Sequence, residues 1–136
     1  MSYCCDLDAG VLLFLEYDVD SSSGRSLPNN SLISASSLDF RYGLACYSAD
    51  SSTDTIGEWR FPDGNKVEVE TLNQEQAVFA HNQIGRVTLQ LRTVHQFTSN
   101  LEGVYTCLIP DEFGTERALH AGVYSASGYA NSGACP

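Results

Sequence analysis

The feature that most constrains this chain is alternation. Phe40, Tyr42, Leu44 and Cys46 exchange places with Arg41, Gly43, Ala45 and Tyr47. Val87, Leu89 and Leu91 do the same with Thr88, Gln90 and Arg92. Tyr105, Cys107 and Ile109 alternate with Val104, Thr106 and Leu108, and Leu119, Ala121 and Val123 follow the same rule. Successive side chains of a strand point to opposite faces, so each segment reads as a strand with one apolar face. Trp59 and Phe61 point one way, with Glu58 and Arg60 the other, and Val67 and Val69 suggest one more short strand.

Turn chemistry separates these segments. Pro62-Asp63-Gly64-Asn65 combines a residue without a ladder donor with one that tolerates positive φ. Pro110 to Gly114 is a second turn, and Phe97 to Gly103 reads as a corner loop. Leu72 to Ala80 reads as a helical turn or an irregular connection ending in strand-like Val78-Phe79. Many short strands with turns between them predict a sandwich or a barrel. No segment has the period or length of a ten-residue helix, which argues against a parallel α/β architecture.

The chain has 136 residues, enough for one domain. Residues 1–31 read as an N-terminal extension with a candidate first strand in the apolar run 11–17 and a polar loop from Asp18 to Asn30. Leu32 and Ile33 suggest a brief edge strand. Residues 125–136 are rich in Ser, Gly and Ala and read as a linker.

Charge and cysteine content narrow the function. Seventeen acidic residues against seven basic ones give a net charge of -10. Such a surface repels nucleic acid and anionic membranes. No apolar stretch approaches a membrane span, and no secretory signal is evident. The five cysteines, Cys4, Cys5, Cys46, Cys107 and Cys135, contain no C-x-x-C pair, and His81, His95 and His120 lie apart from them. No metal site is expected from such spacing, and no cofactor. Residues 18–24 lack the glycine and glutamate positions of an EF-hand calcium loop. No Gly-x-Ser-x-Gly elbow or phosphate-cradling glycine loop is present, so the chain is not expected to be an enzyme.

Cys46, Trp59 and Cys107 form an ordered set, each on the apolar side of its segment, with Tyr105 two residues before the second cysteine. The segments LACYS (44–48), GEWRFPDG (57–64), GRVTLQL (85–91) and GVYTCLIPD (103–111) resemble the immunoglobulin superfamily. The resemblance covers residues 32–124. It implies an all-β, immunoglobulin-like antiparallel β-sandwich with Greek-key topology, of the V or the I type. It further implies a Cys46–Cys107 disulfide between the sheets, a core that includes Trp59, Tyr105 and Leu89, and a corner hydrogen bond from the Tyr105 hydroxyl. Many members pair an Asp with an Arg where Leu101 stands here, so that ion pair is not expected and Arg86 is not assigned to it.

The function implied is protein–protein recognition or cell adhesion, outside the cell or on its surface, as part of a longer secreted or membrane protein. The alternatives are a structural spacer and, more remotely, a secreted enzyme on a β scaffold. The partner expected is another protein, bound by the loops at one sandwich end or by the exposed face of the strands that carry Trp59, Cys107 and Leu119. Loop candidates are Asp50 to Thr55 and Asp111 to Thr115, the latter with Asp111, Glu112 and Phe113, where the aromatic residue is either a candidate anchor or folded back on its own hairpin. Asn29-Asn30-Ser31 is a glycosylation sequon on a polar loop.

Overall fold

β-Branched and aromatic residues at alternate positions fit a pleated, half-buried surface, and the segments around Cys46, Trp59, Leu89, Cys107 and Leu119 do become strands. The computed structural model describes residues 11–16, 24–38, 42–48, 56–70, 76–111 and 113–130. Nine strands follow in order among these residues: β1 (Val11–Glu16), β2 (Arg25–Leu27), β3 (Ser31–Ser34), β4 (Gly43–Ser48), β5 (Glu58–Arg60), β6 (Val78–Gln83), β7 (Arg86–Leu91), β8 (Gly103–Pro110) and β9 (Glu116–Tyr124). A short helix, α1 (Ala126–Ala130), comes last.

The strands form two sheets, ordered β2-β1-β4-β7-β6 and β3-β9-β8-β5. Pairing is antiparallel except for β3 with β9, which run parallel. That exception has a local cause. Asn30, with φ of 68°, turns the chain out of β2, and β3 lies down beside the last strand, where the intervening chain supplies the long crossover a parallel pair needs.

The core lies between the sheets. Leu13, Leu44, Cys46, Val87, Leu89 and Leu91 face Trp59, Tyr105, Cys107, Ile109, Leu119 and Val123, and all are buried. Cys46 on β4 is bonded to Cys107 on β8, with Cα atoms 6.5 Å apart. Trp59 stands opposite Cys107 in register. Its indole Nε1 donates to the Val87 carbonyl at 3.0 Å, joining β5 to the far sheet. The Tyr105 hydroxyl donates to the Leu101 carbonyl at 2.7 Å, closing the corner before β8. Two layers, the inter-sheet bridge, the indole and the tyrosine corner define an immunoglobulin-like β-sandwich.

Four expectations need correction. Residues 11–16 are not peripheral: β1 is paired with both β2 and β4, and Val11 and Leu13 are in the core. A boundary between 31 and 32 therefore cuts through the sandwich. The strand expected around Val67 and Val69 forms single bridges only, Lys66 with Arg60 and Val69 with Ala80. Residues 66–70 pass from one sheet to the other, so neither sheet builds a ladder on them, and Val67 is buried at the crossing. Residues 78–83 are a full strand, β6, which begins at Val78-Phe79 and runs on through His81 to Gln83. The expected linker opens with α1, whose first turn is held by Ser125: its hydroxyl accepts from Gly128 N at 3.3 Å, while its own amide donates to Glu102 at 2.7 Å. These contacts with Ser125 hold the Glu102 carboxyl below its ordinary range.

Candidate recognition surface at one end of the sandwich

Register fixes which loops share an end. The amide of Ser48, at the end of β4, donates to the Gly85 carbonyl at 2.8 Å in the β6–β7 turn. Glu58 pairs with Leu108 across β5 and β8, which carries Ile56 to the level of Pro110. Gly57 is wedged there, and a Cβ on it would lie 3.0 Å from the Leu108 carbonyl and 3.0 Å from Val87. The close of the β4–β5 loop, the β6–β7 turn and the β8–β9 turn thus emerge side by side.

The β8–β9 turn is held by one side chain, Asp111. Asp111 Oδ1 accepts from the amides of Phe113 at 2.9 Å and Thr115 at 3.0 Å. Its Oδ2 accepts from Arg117 at 3.3 Å. Backbone bonds from Asp111 N to Thr115 O and from Gly114 N to Asp111 O complete the turn, with Gly114 at φ 82°. Burial pushes the Asp111 carboxyl up, but the two amides and the Arg117 guanidinium outweigh it and hold the group below its ordinary range. Asp111 is buried, facing its own loop. Phe113 projects from that loop and is 84% exposed.

Two further large apolar side chains stand out at this end. Ile56 is 66% exposed and Ile84 61%, whereas the next most exposed in the described chain, Val104, reaches 48%. Sequence reasoning found Phe113 and missed both isoleucines. The available signal was an isoleucine immediately before the glycine of a tight turn, Ile84-Gly85, where a two-residue loop gives the side chain nothing to pack on. Glu112 and the Asp50 to Thr55 loop lie outside the described residues, as do Asp18 to Ser23 and Cys4, Cys5 and Cys135.

The outward face of β8 and β9 is a second surface. Val104, Thr106, Leu108, Ala118, His120 and Tyr124 occupy it, with Glu58 and Arg60 paired at its edge. His120 Nδ1 and Thr106 Oγ1 share a hydrogen bond at 3.0 Å. Asn29 approaches the same strand: its Oδ1 accepts from the His120 amide at 2.7 Å, so the sequon asparagine fastens the turn before β3 to β9. At the opposite end, Phe61, Pro62, Asp63, Asn65, Asn100 and Leu101 line an open cleft. Within it Asp63 accepts from Asn65, and Asn100 accepts from Thr98 beside it. Among the described residues no three His, Cys, Asp or Glu side chains gather to hold a metal, and no helix is long and apolar enough to cross a membrane.

No protein-family model matches the chain, and no curated protein matches it in sequence. Solved structures do resemble it. The Ig1 domain of mouse SynCAM 2 is 12% identical with a TM-score of 0.49, covering 71% of this chain and 89% of that one. The ZIG-8 IG1 homodimer gives 17% identity and 0.44, covering 72% and 82%. Dpr1 IG1 bound to DIP-eta IG1 gives 18% and 0.45, covering 84% and 98%.

Proposed function

We propose that this chain is an extracellular recognition domain that binds another protein, with Phe113 as the anchor and no catalytic role. The observation that carries this reading is a large aromatic ring held in solvent on a turn whose conformation Asp111 has already fixed. Ordering a loop costs free energy on binding, and a turn built in advance avoids most of that cost. Exposed aromatics at the centre of an interface are its usual energetic anchors. The Cys46–Cys107 bond accords with an oxidising compartment, hence with the cell surface or beyond. Asn29 is the proposed glycosylation site, on the turn before β3 where its Oδ1 accepts from the His120 amide.

The test is an array of recombinant cell-surface ectodomains probed with the multimerised chain, comparing wild type with Phe113→Ala and Leu108→Arg. Saturable binding lost in Phe113→Ala and kept in Leu108→Arg upholds the proposal. The reverse pattern moves the interface to the β8–β9 face. No saturable partner across the array returns the domain to a spacer.

A further inference from the structure

We infer that Phe113 acts with Ile56 and Ile84 as a three-loop apolar tip, and that its partner is a protein recess of apolar floor and Lys/Arg rim. The inference rests on the loop end being the recognition surface and adds the composition of the surface and the chemistry of what it meets. Three separate connections each place a large aliphatic or aromatic side chain in water, and these are the three most exposed such residues described. Chance scatter would distribute them over both ends and both sheet faces. A cluster on a folded domain marks a contact surface.

Charge selects the occupant. Arg60 is paired with Glu58, Arg117 with Asp111, Arg86 lies on Tyr47 and Arg92 on Phe79, so these cations are engaged within the chain. The net charge of -10 is left to dominate the field. Near the tip, Glu116 is exposed at the foot of the Phe113 turn, with no basic partner among the described residues. A second copy would bring together two chains of net charge -10. An anionic bilayer would be repelled in the same way. A partner with an apolar recess and a cationic rim satisfies both the three side chains and the field around them, and like-charged partners are rejected.

The experiment pans a cyclic-peptide display library against the immobilised wild-type chain, then measures selected peptides on wild type, Ile84→Ser, Phe113→Ala and Glu116→Lys. The expected winners carry aromatic or aliphatic residues flanked by Lys or Arg. Ile84→Ser should weaken them about tenfold, the scale of one buried aliphatic side chain. Glu116→Lys should also weaken them, and affinity should fall as salt rises from about 0.05 to 0.5 M. Winners without basic residues overturn the inference. So does an Ile84→Ser affinity within about twofold of wild type; if Phe113→Ala still abolishes binding, the single-anchor reading survives alone. Binding unchanged in both variants removes both readings. Concentration-dependent dimerisation abolished by Phe113→Ala, or binding to phosphatidylcholine vesicles, would also overturn it by identifying a second copy or a lipid surface as the occupant.

Discussion

Breaking the bond between Cys46 and Cys107 tests the architecture at its centre. The bond closes a loop with a sequence separation of 61. In the chain-entropy account, a loop of that size removes about 4 kcal/mol of freedom from the unfolded state. A small domain has only about 5–15 kcal/mol in total, so the bond is a large fraction of it. Reduction keeps both sulfur atoms in place and isolates the covalent term. The measurement is urea unfolding of the Cys4→Ser, Cys5→Ser, Cys135→Ser variant with and without reductant. The chain has one tryptophan, Trp59, which is buried and in register with Cys107, so its fluorescence reports the region of interest directly. With a slope of about 1.5 kcal/mol per molar urea, the midpoint should fall by roughly 2.7 M. Replacing both cysteines by alanine should cost about 1 kcal/mol more, because it also leaves space in the core. A midpoint shift below about 0.5 M would refute the reasoning: the unfolded chain would then not be restrained by this bond.

Three further outcomes follow from single contacts. Tyr105→Phe should lose about 1 kcal/mol in denaturant, the net worth of the bond to Leu101. Burial, then the charge of Asp63, pushes the Tyr105 phenol above its ordinary range. The folded state therefore holds this proton more tightly than the unfolded state. Its contribution is complete below about pH 10 and declines above it by up to about 1.4 kcal/mol per pH unit, a component that Tyr105→Phe should abolish in alkaline unfolding curves. Gly103→Ala should cost about 1–3 kcal/mol by thermal unfolding, because φ is 142° and a Cβ would lie 2.8 Å from Pro62. Asn29→Ala should cost about 1 kcal/mol, whereas Asn29→Asp keeps the acceptor for His120 and should stay near wild type while losing any attached glycan; equal losses in the two variants would remove the structural role.

The central strands were legible because each has one face against the other sheet. β8 shows this best: Tyr105, Cys107 and Ile109 are buried while their neighbours are not. β7 shows where alternation stops being informative. Thr88 and Gln90 are as buried as Val87 and Leu89, because the outer face of this sheet carries its own layer. Phe14 meets Tyr47 edge to face at 5.6 Å, and Arg92 lies over Phe79 at 5.3 Å. The same covering explains why β1 reads as a continuous apolar run: Val11 and Leu13 face the core while Phe14 packs outside. The parallel β3–β9 pair and the crossing at residues 66–70 depend on partners distant in sequence, and local periodicity carries no record of them.

The proposed recognition surface was half legible for a different reason. Phe113 is conspicuous because an aromatic in a turn has nowhere to hide. Asp111, two residues earlier, looks equally available in sequence, yet its carboxylate is what holds the turn. The two isoleucines needed topology. In a sandwich whose strands each run from one end to the other, successive connections alternate between ends. The β4–β5, β6–β7 and β8–β9 connections must then share one end, and β5–β6 and β7–β8 the other. An error of one strand in the count reverses the assignment of every later loop. Reading residues 66–70 as a strand makes that error, and it moves Ile84 and Phe113 to the end opposite Ile56. Ile56, Ile84 and Phe113 therefore share an end because that segment crosses between the sheets without completing a strand of its own.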